Sequence, residues 1–149
     1  MDLTELQLLI AGGIGLWILI STIVSRASGW AALATVYRLQ ESFDGQRWYL
    51  QTAQMRWATN YGNCLTVGVS PRGLYLAVVF LFRPGHPPLL VPWGDISVYM
   101  RQRTWFTVVE LRFRPVPGIP LRISARLAAR LATAAGPWWP GERLAVERP

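Results

Sequence analysis

The sequence predicts a chain of the all-β/α+β class: one N-terminal transmembrane helix, then a seven-strand antiparallel sandwich or partly open barrel closed by a C-terminal helix. Three observations predict it. Residues Leu6 to Ser25 read LQLLIAGGIGLWILISTIVS, without a single charge. From Gln46 the apolar period is two, and turn residues recur at intervals of about ten positions. After Ser124 the period becomes that of a helix, ARLAARLATAA, and stops at Gly136-Pro137.

The uncharged run comes first. At about 1.5 Å per residue its twenty residues make a helix of roughly 30 Å, the thickness of a bilayer's hydrocarbon core. Eleven of the twenty are Leu, Ile or Val. Those residues favour insertion by about 3 to 7 kcal/mol before the glycines subtract. A cleaved signal peptide needs a positive start and a shorter apolar run, whereas this chain begins MDLTE, so the segment reads as an uncleaved anchor. Ala11, Gly12 and Gly15 form a small face suited to packing against another membrane helix. No basic residue precedes the helix, and Arg26 and Arg38 follow it. Arginine is retained on the cytoplasmic side, which predicts the N-terminus outside and the rest inside the cell. All fifteen basic residues are Arg and none is Lys, a codon bias that suggests a GC-rich bacterial genome and so a bacterial inner (cytoplasmic) membrane.

The chain divides into an anchor (1–27), a juxtamembrane amphipathic helix and linker (28–45), a β domain (46–136) and a Trp/Pro-rich tail (137–149). Beyond the anchor, 124 residues suffice for one domain with a core. From Arg26 onward fifteen Arg face six carboxylates, a net charge of +9. Beside a bilayer that charge suits anionic lipids, although a generally solvated basic surface accounts for it equally well. The arginines are dispersed rather than clustered, which argues against nucleic acid. The single Cys64 cannot form an internal disulfide, in keeping with a cytoplasmic domain.

In WAALATVY, Trp30, Leu33, Ala34 and Tyr37 recur at helical spacing, with Ser28 as cap, so a short helix lies along the membrane surface or against the domain. Trp30 falls five residues past the span, the level that indoles prefer, and is an interface candidate. Asp44-Gly45 then turns the chain. The expected strands are 47–58, 64–70, 73–82, 88–93, 95–101, 104–114 and 119–124, separated by NYGN, Pro71-Arg72-Gly73, RPGHP, Gly94 and RPVPG. In the sixth, Trp105, Thr107, Val109, Leu111 and Phe113 share one face and Glu110, Arg112 and Arg114 the wet one. Ser124 caps the closing helix, whose Leu127, Ala128, Leu131 and Ala135 face the sheet.

The strand GLYL (73–76) followed by PPLLVPWGDI (87–96) is similar to a pattern in bacterial pleckstrin-homology-like (PH-like) and GRAM-type domains, in which a Gly-Leu-Tyr-Leu strand precedes Ile-Pro-Trp-x-Asp-Ile. The run from CLTVGVS to HPPLLVPW also resembles bacterial membrane-anchored proteins of unknown function. The resemblance covers residues 46–136 and implies a PH-like fold used as a binding scaffold. Phosphoinositide-binding members carry a basic cluster between the first two strands; here that loop is ATNYGN, with Arg56 alone near it.

The stretch FRPGHPPLLVPWGDI (82–96) holds the one histidine, and Asp95 lies nine residues beyond it. Catalysis would need a nucleophile and an orienting carboxylate within hydrogen-bond reach of His86. Pro87, Pro88 and Pro92 instead point to a structural corner that also includes Trp93, with His86 bonding backbone and Asp95 starting the next strand by capping the turn at Gly94. One His and one Cys make no metal set, and no phosphate-binding loop or cofactor motif is present. In the tail, Trp138 and Trp139 lie between prolines and either fold back on the domain or anchor a partner. The expected role is a non-catalytic membrane-anchored interaction module, an accessory or assembly subunit beside other integral membrane proteins, respiratory or photosynthetic by class alone. The alternative is a stand-alone sensor of anionic lipids. No small-molecule substrate is indicated.

Overall fold

The computed structural model describes residues 1–56 and 59–144, and the side chains up to 141. Its first element, α1 (Leu3–Ser28), has 26 residues and is about 39 Å long, one helix long and apolar enough to cross a membrane. It begins at Asp2, whose side chain and that of Glu5 close a capping box, and ends at Gly29. Gly29 has φ 92°, and a Cβ there would meet the Ile119 side chain at 2.6 Å. Only glycine fits both the left-handed angle and the close approach. The chain therefore turns at once into α2 (Trp30–Tyr37). The Ser28 hydroxyl does accept from the Trp30 amide, at 3.3 Å, but as the last residue of α1 rather than as the cap of α2.

Of the two placements open to α2, it takes the domain rather than the membrane surface. Trp30, Leu33 and Tyr37 are buried in the main core, and the chain beyond pairs Arg38 with Leu89 and hydrogen-bonds Leu39 to Pro88. Phe43 in the linker stacks on Tyr75 at 4.3 Å, with the Arg47 guanidinium over both rings.

The sheet comprises β1 (Gln46–Met55), β2 (Thr59–Ser70), β3 (Gly73–Val78), β4 (Leu89–Val91), β5 (Ile96–Gln102), β6 (Thr107–Phe113), β7 (Val116–Ser124) and β8 (Glu142–Leu144). They lie in the order β4-β3-β2-β1-β7-β6-β5-β8. The first seven form the antiparallel, half-barrel sheet that the period-two pattern implies. The short β8 adds to β5 in parallel. Inward residues such as Leu65, Leu76, Val98, Leu111, Phe113 and Leu121 fill the core. Helix α3 (Ala125–Ala135), capped by Ser124 through the Leu127 amide, closes it with Leu127, Ala128, Leu131 and Ala135.

Several boundaries differ from expectation, and β7 is one of them: it begins at Val116, inside the expected RPVPG turn. NYGN is not a turn: it lies inside β2, whose Thr59 pairs directly with Met55 of β1. The last two residues of the expected first strand, Trp57 and Ala58, lie outside the described residues. β3 stops at Val78, and Phe80–Phe82 form a 3₁₀ turn. The run LYLAVVFLF is uniformly apolar, so its period could not reveal the place where the chain leaves the sheet for α1. Trp105, placed by alternation on the buried face of β6, is 91% exposed. It lies in the β5–β6 turn that the bond from Arg103 N–H to the Phe106 carbonyl, at 2.8 Å, closes.

Candidate functional site

The long apolar helix α1 and the sheet meet through one stripe of the helix. Trp17, Ser21, Ser25 and Ser28 stand at spacings of four, four and three, which keeps them within an arc of about 80° on a helix. All three serines are buried. Apart from Thr22, whose hydroxyl turns back to the Ile18 carbonyl, and Arg26, the rest of the helix here is apolar. The acceptors of Trp17, Ser21 and Ser25 are carbonyls of the 79–87 loop. Trp17 Nε1–H donates to Leu81 at 2.6 Å, and the Ser21 hydroxyl to Pro84 at 2.6 Å and to Phe82 at 3.2 Å. The Ser25 hydroxyl donates to Gly85, and Trp30 Nε1–H to Pro87 at 2.9 Å.

His86 sits at the centre of this joint, almost fully buried. Its Nδ1 lies 3.1 Å from the Pro84 carbonyl, which assigns the proton to Nδ1, and 3.4 Å from Ser21 Oγ. Its Nε2 then accepts from the Tyr61 hydroxyl at 3.0 Å, and Tyr61 is 2.8 Å from Ser28 Oγ. Trp30 packs on both rings, 5.4 Å from His86 and 5.6 Å from Tyr61. Burial lowers the His86 pKa despite the opposing carbonyls of Pro84 and Phe82, so the ring is neutral and the tautomer is fixed by its partners. Burial also pushes Tyr61 up to about 12, which keeps it a donor. Beside the joint, a cleft of about 330 Å³ opens between α1 and β2, lined by Trp17, Ile20, Val24, Cys64 and Phe82 together with His86 and Tyr61. Burial raises the Cys64 thiol pKa and keeps it protonated.

The expected corner residues divide between two places. Pro87 and Pro88 receive Trp30 and Leu39 on their carbonyls, as above, beside His86. Trp93 and Asp95 belong to a second 3₁₀ turn, in which Asp95 N–H donates to the Pro92 carbonyl at 3.0 Å and Trp93 Nε1–H to Ser70 at 2.8 Å. The Asp95 carboxylate accepts from the Tyr37 hydroxyl at 3.0 Å. No hydrogen bond joins His86 to Asp95 among the described residues, and no three His, Cys, Asp or Glu side chains there come together as a metal set.

The interface candidates also divide. Trp30 is 0% exposed, so it is not available to a partner and instead serves the joint, because Gly29 turns its indole onto the sheet. Trp139 folds back against Trp93, ring centroids 6.0 Å apart, while Trp138 stays 49% exposed. Ala11 is exposed, and an added Cβ at Gly12 or Gly15 would meet nothing within 4 Å. Tyr49, Leu50, Trp105 and Phe106 are also exposed. Leu50 and Phe106 line one groove of about 500 Å³, and Leu50 sits at φ 54° where β1 bulges.

A charged cluster lies on the outer sheet face. Glu110 on β6 is 2% exposed, 2.7 Å from Arg112, 3.0 Å from Arg101 of β5 and 3.3 Å from Arg122 of β7. Burial alone would raise its pKa, but the hydrogen bond from Arg112 and the three positive charges outweigh it and hold the carboxyl below the usual range. No family model and no curated protein matches the chain.

Proposed function

We propose that this chain is a non-catalytic, membrane-anchored interaction module: a PH-like domain held by one span at the inner face of a bacterial cytoplasmic membrane, with the N-terminus outside. In that role it serves as an accessory or assembly subunit of a larger membrane complex. The observation that carries the reading is the joint itself. Trp17, Ser21, Ser25 and Ser28 lock the inner part of α1 to the domain, while Leu8, Leu9, Ile14 and Leu16 farther out are exposed beside Gly12 and Gly15. A lipid tether needs no such lock; a subunit that must present a fixed surface at a fixed height does. The exposed group at Trp105 and Phe106 supplies that surface, since aromatic side chains dominate interface energetics. The chemistry supports the absence of catalysis, because both ring nitrogens of His86 are committed to structural partners and Asp95 is bound to Tyr37.

The test is recovery of partners from native membranes in mild detergent. Gly15→Leu and Trp105→Ala are expected to reduce co-purification of integral membrane proteins. Raising salt to about 0.5 M, where screening acts within a few ångströms, is expected not to. Loss of all partners at high salt, with both substitutions silent, would favour the anionic-lipid sensor and reject the subunit.

A further inference from the structure

The turn Phe80–Phe82 follows β3 with three large apolar side chains, Phe80 79% and Leu81 68% exposed and Phe82 packed on Trp17 with ring centroids 5.0 Å apart. Its height is set by its hydrogen bonds to Trp17 and Ser21. Trp17 lies eight residues, about 12 Å, above Ser25 on the helix axis. The sides of α1 that the domain leaves open at this level carry Ile18, Leu19, Ile20, Ile23 and Val24, all exposed. The span cannot end above them: Leu6 to Leu16 alone is about 16 Å, half of a hydrocarbon core.

Irregular backbone enters lipid only when its polar groups are satisfied by protein. Every carbonyl from Val79 to Gly85 has a donor in this chain, and the Val79 amide donates to Cys64 at 2.8 Å, whereas the amides of Phe80, Leu81 and Gly85 have no acceptor among the described residues. The carbonyls of Val79, Phe80 and Arg83 accept from the amides of Phe82, Arg83 and His86 at 2.8 to 3.2 Å. Those of Leu81, Phe82, Pro84 and Gly85 accept from Trp17, Ser21 and Ser25. A loop facing water has no need of this closure. Gly85 brings the loop against the helix, since a Cβ there would lie 2.9 Å from the Thr22 backbone. Arg83 follows the apolar turn and is exposed, placed to extend its guanidinium to lipid phosphates.

We propose that the Val79–Arg83 turn is a second membrane-embedded element, buried in the inner leaflet of the bilayer beside α1. This rests on α1 being a span. The domain is then sunk into the membrane at one corner rather than suspended below it. The test places single cysteines in the full chain carrying Cys64→Ser, reconstituted in vesicles of phosphatidylcholine and phosphatidylglycerol, and labels each with an environment-sensitive fluorophore. Leu81→Cys and Phe80→Cys report the turn, Ile14→Cys the span, and Arg72→Cys, at the far end of β2, the aqueous domain. Labels at 80 and 81 are expected to be quenched by nitroxide lipids as at position 14, and to be several-fold less accessible to aqueous iodide than at 72. Quenching by iodide at 80 and 81 with lipid quenching at 14 overturns the inference and leaves the span intact. Protection from both quenchers at 80 and 81 also overturns it, because protein then covers the turn. Iodide access at position 14 removes the span, and the inference with it.

Discussion

Glu110 shows how much one side chain depends on neighbours that the sequence does not place beside it. Alternation along β6 assigns it to the wet face, and it does point outward, yet Arg101, Arg112 and Arg122 arrive from three strands and cover it. Arg112 also lies over the Tyr99 ring at 4.3 Å, which leaves it little freedom to leave. Glu110→Gln leaves three guanidinium groups facing each other without a counter-charge. Because these arginines are partly solvated, the expected loss is about 1 to 3 kcal/mol of unfolding free energy, below that of a fully buried pair. The pH sign follows from the depressed pKa. The stabilisation is complete above the unfolded value of about 4.3 and disappears as pH falls through the lower folded value. Denaturant titrations between pH 7 and pH 3 are expected to show an acid-sensitive component in the wild type that Glu110→Gln lacks. Parallel curves for the two would disprove it.

At the scale of the element, α1 is an apolar helix with one hydrogen-bonding stripe. Replacing both Ser21 and Ser25 by Ala leaves the Phe82 and Gly85 carbonyls without partners and leaves Pro84 with His86 Nδ1–H alone. Each orphaned group is expected to cost about 1 to 3 kcal/mol. The sheet keeps its own ladders, so the consequence is a domain that swings on Gly29 rather than one that unfolds. Distance measurements between spin labels on the outer half of α1 and on α3 are expected to broaden in the double variant while far-ultraviolet circular dichroism stays unchanged. An unchanged distance distribution would show that the stripe does not fix the domain. The anchor, the closing helix and most strands were legible because each follows from a local period. The joint was not. Trp17, Ser21, Ser25 and Ser28 show their common face in the sequence, but the acceptors of the first three lie some sixty residues away in a loop that reads as the end of a strand, and Ser28 meets Tyr61 of β2. His86 was legible as a corner through its prolines, while its bond to Tyr61 required the NYGN segment to be strand rather than turn. The edge strand β8 carries no alternating pattern of its own and exists only as an addition to β5.

For the whole molecule the basic residues support the proposed orientation. Arg26, Arg38, Arg56 and Arg83 all lie on the domain side of α1, and Arg56 donates to the Ala27 carbonyl at 3.1 Å at the helix's end. Protease added to intact spheroplasts is therefore expected to leave a C-terminal tag uncut, with cleavage only after lysis. Rapid loss of the tag from intact cells would invert the topology. The joint between Ser25 and Gly85 also has a consequence in time. Donor and acceptor are separated by 60 residues, and a ribosome adding about 5 to 20 residues per second makes the loop some seconds after the helix has left it. On the proposed reading of α1 as a span, the helix enters the membrane before its acceptors exist, and β3 then finishes its turn against a partner already in place. A circular permutation that reverses the order of the two segments is expected to keep the same contacts and lose that order of assembly.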